Sequence, residues 1–307
     1  MMTKFTNLSE LLNSSPTEQD CIDYFKERRW NGKVISPFDP TSEIYECANN
    51  RYKCKNTNKY FNVKTGTVFE NSKLPLLKWF WALYFLSSNK KGISSCQLAE
   101  HVSISVTQKT AWFMLHRLRR AFKCSLFNTM LGNNVEADET YLGGSNSNRH
   151  WNKKVPNSQG RSWKDKVPIL VIIERGGNVI AQVVPNVEKR TLEPIVRSNV
   201  KEGSNVFTDE WFAYNGLKKW FNHQIVNHRN KQYVNGDAST NSAENFNSCL
   251  KRGIDGTYHH VSRKHTQKYV NEVVLRYNTR KYNQSERFDL VLLSSVGKRL
   301  TYRELIN

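Results

Sequence analysis

Residues 167–187 read VPILVIIERGGNVIAQVVPNV, two β-rich runs about the pair Gly176-Gly177. Apolar, β-branched runs separated by a paired-glycine turn are a hairpin signal, so this segment commits part of the chain to a β-sheet. Its surroundings extend the pattern. VEADETYL at 135–142 is strand-like, KRTLEPIVRSNV at 189–200 reads as a helix, and GSNVFTDEW at 203–211 supplies another short strand. A helical stretch begins near 241, and QKYVNEVVLRYNTRK at 267–281 follows it. Early strands, a helix, another strand and then helices predict an α/β domain over 131–290, a mixed sheet flanked by helices.

The residues before this domain have a different character. Within 1–72, SPFDPTSEIY carries turn chemistry, and RYKCKNTNKYFNVKTGTVF alternates like short strands around a turn at Gly66. A helical unit is expected over 73–130. LPLLKWFWALYFL at 74–86 forms its buried core, since Lys78 interrupts a run already shorter than the roughly 20 residues a membrane span needs. In GISSCQLAEHVSISVTQKTAWFMLHRLRRAF, Ser94 or Ser95 caps a first helix and Ser105 a second. The second helix places Ala111, Leu115, Leu118 and Phe122 on one apolar stripe. Two helices about a short turn follow helix-turn-helix logic or form an ordinary helical hairpin. In the first case Thr107, Gln108 and Lys109 face base edges, and Arg117, Arg119 and Arg120 supply cations for phosphates. Residues 291–307 read as a C-terminal tail.

Charge narrows the partner. Lys and Arg outnumber Asp and Glu 46 to 27 in 307 residues, a net +19, which favours a polyanion such as nucleic acid. No secretory signal opens the sequence, and six scattered cysteines without a CxxC pair suit a reducing cytosol, so a cytoplasmic protein is expected. Against this background, acids cluster at the ends of two strand-like segments, VEADET and VFTDEW. Two-residue alternation puts Glu136 and Asp138 on one face, and Phe207 and Asp209 on one face. Spacing does not choose among Glu136, Asp138 and Glu139.

A third acid lies in STNSAENFNSCLKRG, where Glu244 and Lys251 are two helical turns apart on one face and Ala243, Phe246 and Leu250 occupy another. Three carboxylates in a basic chain fit hard divalent cations, which take oxygen ligands together with phosphate oxygens. Two such ions about 4 Å apart activate an attacking oxygen and stabilise a departing one in displacement at phosphorus. Each residue also has an ordinary role available. An Asp at a strand end is a common turn residue, Asn241 with Glu244 approximates a capping box, and Lys251 is a typical solvated lysine.

These segments, with NKYFNVKTGTVFENSKLPLLKWFWALYFL and NSAENFNSCLKRGIDGTYHHVSRKHTQKYVNEVVLRYNTRK, together resemble a known family over roughly residues 25–290. They are similar to the bacterial insertion-sequence DDE transposases with an N-terminal zinc ribbon, a helix-turn-helix and an ISXO-like, ribonuclease-H-like catalytic domain. The resemblance implies that Asp138, Asp209 and Glu244 hold Mg²⁺ (or Mn²⁺), with Lys251 as the accompanying basic residue. It further implies cleavage at transposon ends, strand transfer into double-stranded DNA, and a homo-oligomer acting at the nucleoid rather than a membrane. Where relatives carry zinc-binding CxxC pairs, this chain has SPFD and CKNT, so Ser36, Asp39 and Thr57 leave Cys54 alone and no structural zinc is expected. Ser239 stands where relatives often have His, which predicts a missing support near Glu244. His259 and His260 are expected to be solvated or DNA-facing, not metal ligands. A catalytically silent DNA-binding regulator derived from a transposase is the alternative.

Overall fold

The computed structural model describes residues 10–11, 17–123, 129–144, 146–156, 158, 162, 165–226 and 239–307. The chain divides into two compact units, one of Met1–Ser125 with Lys281–Asn307 and the other of Leu126–Arg280.

In the first unit, helix α1 (Glu18–Trp30) starts at a capping box between Thr17 and Asp20. A three-stranded antiparallel sheet follows, β1 (Ile44–Cys47), β2 (Arg51–Cys54) and β3 (Tyr60–Phe61). Gly66 turns the chain after β3, at φ +74°, and not between strands. Helix α2 (Leu76–Ser88) follows Pro75, which offers no capping side chain. Glu18 supplies the cap from α1, accepting from the backbone N–H groups of Leu76 at 2.7 Å and Leu77 at 2.8 Å. The apolar run at 74–86 is therefore core, as expected, with Trp79, Phe80, Leu83 and Leu86 buried.

Helix α3 (Ser95–Glu100) is capped by Ser94, and α4 (Gln108–Ala121) by Thr107. Ser105, expected to cap α4, instead takes a left-handed conformation at φ +40° in the turn before it. The predicted stripe of Ala111, Leu115, Leu118 and Phe122 is buried. Helices α8 (Gln284–Ser294) and α9 (Tyr302–Ile306) also belong to this unit. Phe288 meets Tyr24 and Phe80 edge-to-face, and Arg287 donates to the Ser87 carbonyl at 3.1 Å. Residues 281–307 thus pack into the first unit, whereas the sequence predicts a catalytic domain ending at 290 and a C-terminal tail over 291–307. The distant aromatic partners of Phe288 decide this, and they carry no local sequence signal.

The second unit is the expected mixed α/β sheet flanked by helices, consistent with a ribonuclease-H-like fold. Its strands are β4 (Asn134–Leu142), β5 (Val167–Glu174), β6 (Val179–Val183), β7 (Asn205–Thr208) and β8 (Asn222–Ile225), in the order β6-β5-β4-β7-β8. β4, β5 and β6 are antiparallel neighbours, whereas β4, β7 and β8 run parallel. The β5–β6 connection is the predicted hairpin, with Gly176 at φ +71°. β5 is apolar at successive positions because both of its faces are covered. Leu170 and Ile172 pack with Leu192 and Val196 of helix α5 (Lys189–Asn199) and with Tyr214 and Leu217 of a 3₁₀ segment, Phe212–Lys219. Ile169, Val171 and Ile173 pack with Ala243, Phe246 and Leu250 of α6 (Asn241–Gly253) and Val270 of α7 (Thr266–Asn278). No helix of the described residues is long and apolar enough to cross a membrane.

Candidate active site

Strand register brings the two aspartates together. β4 and β7 are parallel, with Glu136 opposite Phe207 and Ala137 opposite Thr208. One residue further on, where β7 ends and β4 continues against β5, Asp138 and Asp209 stand side by side. Glu139, the next residue of β4, joins them. The three carboxylates each offer an oxygen within 4.8 Å of the others, and all three residues are half-buried. A set of carboxylate oxygens suits a hard divalent cation, and neutralising such close negative charges favours its binding.

Each carboxylate is oriented by a neighbour. Asn247 Nδ2 donates to Asp138 Oδ2 at 2.7 Å. The Tyr214 hydroxyl donates to Glu139 Oε1, and the Trp211 backbone N–H donates to Asp209 Oδ1 at 3.0 Å. Burial, reinforced by Glu139, Asp138 and Asp209, pushes the Tyr214 phenol well above its ordinary range, so it remains a donor. Below Asp209, Thr208 Oγ1 donates to the Asp209 carbonyl at 2.9 Å and lies 2.9 Å from His223 Nε2. A hydroxyl has one proton, so His223 Nε2 carries the hydrogen of that contact. Burial, and secondarily Lys218, brings the His223 pKa down to about 4 and keeps the ring neutral.

Glu136 does separate work. It is 0% exposed and lies two residues before Asp138 on the same strand face. It accepts from Arg175 Nε at 2.7 Å, Ser242 Oγ at 3.1 Å and the Ala243 backbone N–H at 2.9 Å. The last bond caps the N-terminus of α6, where Thr240 is the N-cap residue but makes no capping side-chain bond. A capping box from Asn241 is therefore not formed. Arg175 also donates to Ser239 O at 3.0 Å and Ser239 Oγ at 2.8 Å, and its guanidinium lies 4.3 Å from the Phe207 ring centroid. Ser239, where a support for Glu244 is expected to be missing, instead accepts from Arg175.

Glu244 and Lys251 are both exposed on α6, on the face that also carries Asn247. Thr240 Oγ1 lies 3.4 Å from Glu244 Oε1. Among the described residues, the group of acids close enough to share one cation contains Glu139 and not Glu244. His259 and His260 are exposed and outside that group. Sequence reasoning left Glu139 without a role and missed Asn247, Tyr214 and Arg175. Only Asn247 left a trace, at three residues after Glu244 and four before Lys251.

In the first unit, Thr107, Gln108, Lys109 and Arg120 are exposed. Thr107 caps its own helix, Gln108 Nε2 donates to Ser95 Oγ at 2.8 Å, and Lys109 lies 5.6 Å from the Tyr302 ring centroid. Arg117 and Arg119, expected to meet phosphates, are only 5% and 1% exposed. Arg117 donates to the Glu70 carbonyl at 2.6 Å and lies over Trp79 and Phe113. Packing around most of α4 encloses these two cations, so charge alone misplaced them. The Cys54 thiol is fully buried. Burial alone would raise its pKa, but hydrogen bonds from Ser36, Ser42 and Thr57 outweigh that and bring it down to about 6.

Residues 130–278 match the family model of the ISXO2-like transposase domain. A protein of transposable element ISH50 from Halobacterium salinarum is 28% identical over 276 residues, covering 85% of this chain and 90% of that protein. A transposase-like protein from Haemophilus influenzae is 34% identical over 106 residues, covering 33% of this chain and 80% of its own length. Neither relative has a characterised activity. With its sheet, its paired aspartates and these relatives, the chain belongs to the insertion-sequence DDE transposases with an ISXO2-like transposase domain.

Proposed function

We propose that the protein catalyses metal-dependent DNA cleavage and strand transfer at the ends of an insertion sequence. The observation that carries this reading is the emergence of Asp138 and Asp209 side by side from two parallel strands of the transposase domain. Asp138, Asp209 and Glu244 are the proposed metal-holding acids, and Mg²⁺ is the proposed ion, with Mn²⁺ as a substitute. Such an ion, when bound, supplies Lewis-acid stabilisation of charge on the phosphate oxygens and a more nucleophilic attacking oxygen. The chain's own groups do the rest. Asn247 holds Asp138, the Trp211 N–H holds Asp209, and Tyr214 holds the neighbouring Glu139. Glu244 and Lys251 stand two turns apart on one face of α6, so a DNA backbone lying along that helix meets an acid and then a cation.

The net +19 charge favours duplex DNA as substrate. Thr107, Gln108 and Lys109 are proposed to face base edges and Arg120 a phosphate, with the protein acting as a homo-oligomer on paired ends. The position of Glu244 outside the close trio favours one rival, a DNA-binding regulator that does not cut. Strand transfer with the element's terminal sequences and Mg²⁺, comparing wild type with Asp138→Ala, decides between them. Nicking and joining by wild type, lost in the variant, is the expected result. Tight end binding with neither nicking nor joining by wild type leaves the regulator.

A further inference from the structure

We propose that Asn247 belongs to the cation site itself, its amide nitrogen fixing Asp138 and its amide oxygen serving the coordination or hydration shell of the ion. Asn247 lies on α6, three residues after Glu244, and is 6% exposed. Its Nδ2 donates to Asp138 Oδ2 at 2.7 Å. Its Oδ1 is buried and has no hydrogen-bond partner among the described residues. The assignment of the two amide atoms follows from Asp138, because a carboxylate only accepts and the nitrogen must face it. An oxygen acceptor is therefore held beside the trio Asp138, Glu139 and Asp209.

For folding alone this is a poor choice. A buried acceptor without a partner costs stability, and leucine has nearly the same shape. The neighbouring buried positions of α6, Ala243, Phe246 and Leu250, are apolar. The amide gains its missing partner when a hard cation, which takes neutral oxygen donors and water as well as carboxylates, binds the trio. The inference rests on the reading of the trio as a cation site and is independent of strand transfer.

The test uses the full-length protein and Mn²⁺ alone, with free Mn²⁺ followed by electron paramagnetic resonance and metal-free melting followed by circular dichroism. Asn247→Leu is expected to melt at or above the wild-type temperature without metal, yet to bind Mn²⁺ about 10- to 100-fold more weakly, the usual effect of losing a supporting group at a metal. Asn247→Asp keeps an oxygen donor but sets a fourth carboxylate against Asp138. It is expected to melt lower without metal and to bind Mn²⁺ at least as tightly as wild type. Wild-type Mn²⁺ affinity in Asn247→Leu overturns the proposal, as does parallel loss of stability and affinity in both variants. Should Asn247→Leu fail to fold, weakened binding by Asn247→Asp is sufficient to refute it. Asp138→Ala serves as the control, and undiminished Mn²⁺ binding there removes the cation site and this inference together. Failure of strand transfer with the Asn247 pattern intact removes only the catalytic reading.

Discussion

Replacing Arg175 with Met tests whether the Glu136–Arg175 pair positions α6. The substitution keeps much of the apolar stem and leaves the fully buried Glu136 carboxylate without its cation. Breaking a buried pair from one side costs about 3–5 kcal/mol. The Arg175 side chain is 25% exposed, so solvent recovers part of this, and about 2–3 kcal/mol is the appropriate share. Two hydrogen bonds to Ser239 add roughly 1 kcal/mol each. The total is about 4–5 kcal/mol, which for a unit of this size lowers the melting temperature by roughly 10–20 °C. Urea unfolding measures the loss, and hydrogen exchange at the first amides of α6 locates it. Adding Glu136→Gln removes the stranded charge but keeps an acceptor for Ala243 N–H, so the double variant recovers at least half of the stability. An effect of Arg175→Met under about 1 kcal/mol, or no recovery in the double variant, refutes the assignment, because additive effects mean no coupling.

Two further predictions concern charge. Arg120→Ala should weaken DNA binding across sequences and reduce the salt slope by about 1, as expected for one phosphate contact. Arg117→Met should leave that slope unchanged while destabilising the first unit by about 1–3 kcal/mol through loss of a buried bond; titrations over a salt series separate the two. His223, held neutral with a pKa of about 4 against an ordinary 6.5, makes stability depend on pH. The unfolded chain takes up the proton between pH 6.5 and 4 and the native state does not, so stability is full above 6.5 and declines toward 4. His223→Gln should flatten that decline, and equal urea-midpoint profiles for the two proteins refute the role.

The elements of the second unit were legible because their signals are local. The Gly176-Gly177 hairpin, the doubly covered β5 run and the apolar side of α6 all follow from periodicity and turn chemistry. The pair Asp138 and Asp209 was legible from the repeated strand–acid pattern and from the resemblance to DDE transposases. Errors arose where burial overrides composition. HRLRRAFK looked like a phosphate-binding run, but packing on Trp79 and Phe113 takes Arg117 inside.

By itself, the sequence determined the strand and helix periods, the excess of cations and which residue types were present to hold a metal, since these depend on neighbours in the chain. Tertiary structure alone decided which acids meet. The parallel register of β4 and β7 sets Asp209 beside Asp138, and Tyr214, 75 residues away, ties down Glu139. Glu136 was freed from any catalytic assignment by a residue 39 positions distant, Arg175. Carboxylates at adjacent positions are alike in a sequence. They become different only when a fold gives one a guanidinium and a helix end and sets another beside Asp209 where β7 ends, because burial and hydrogen bonding determine what a charge does.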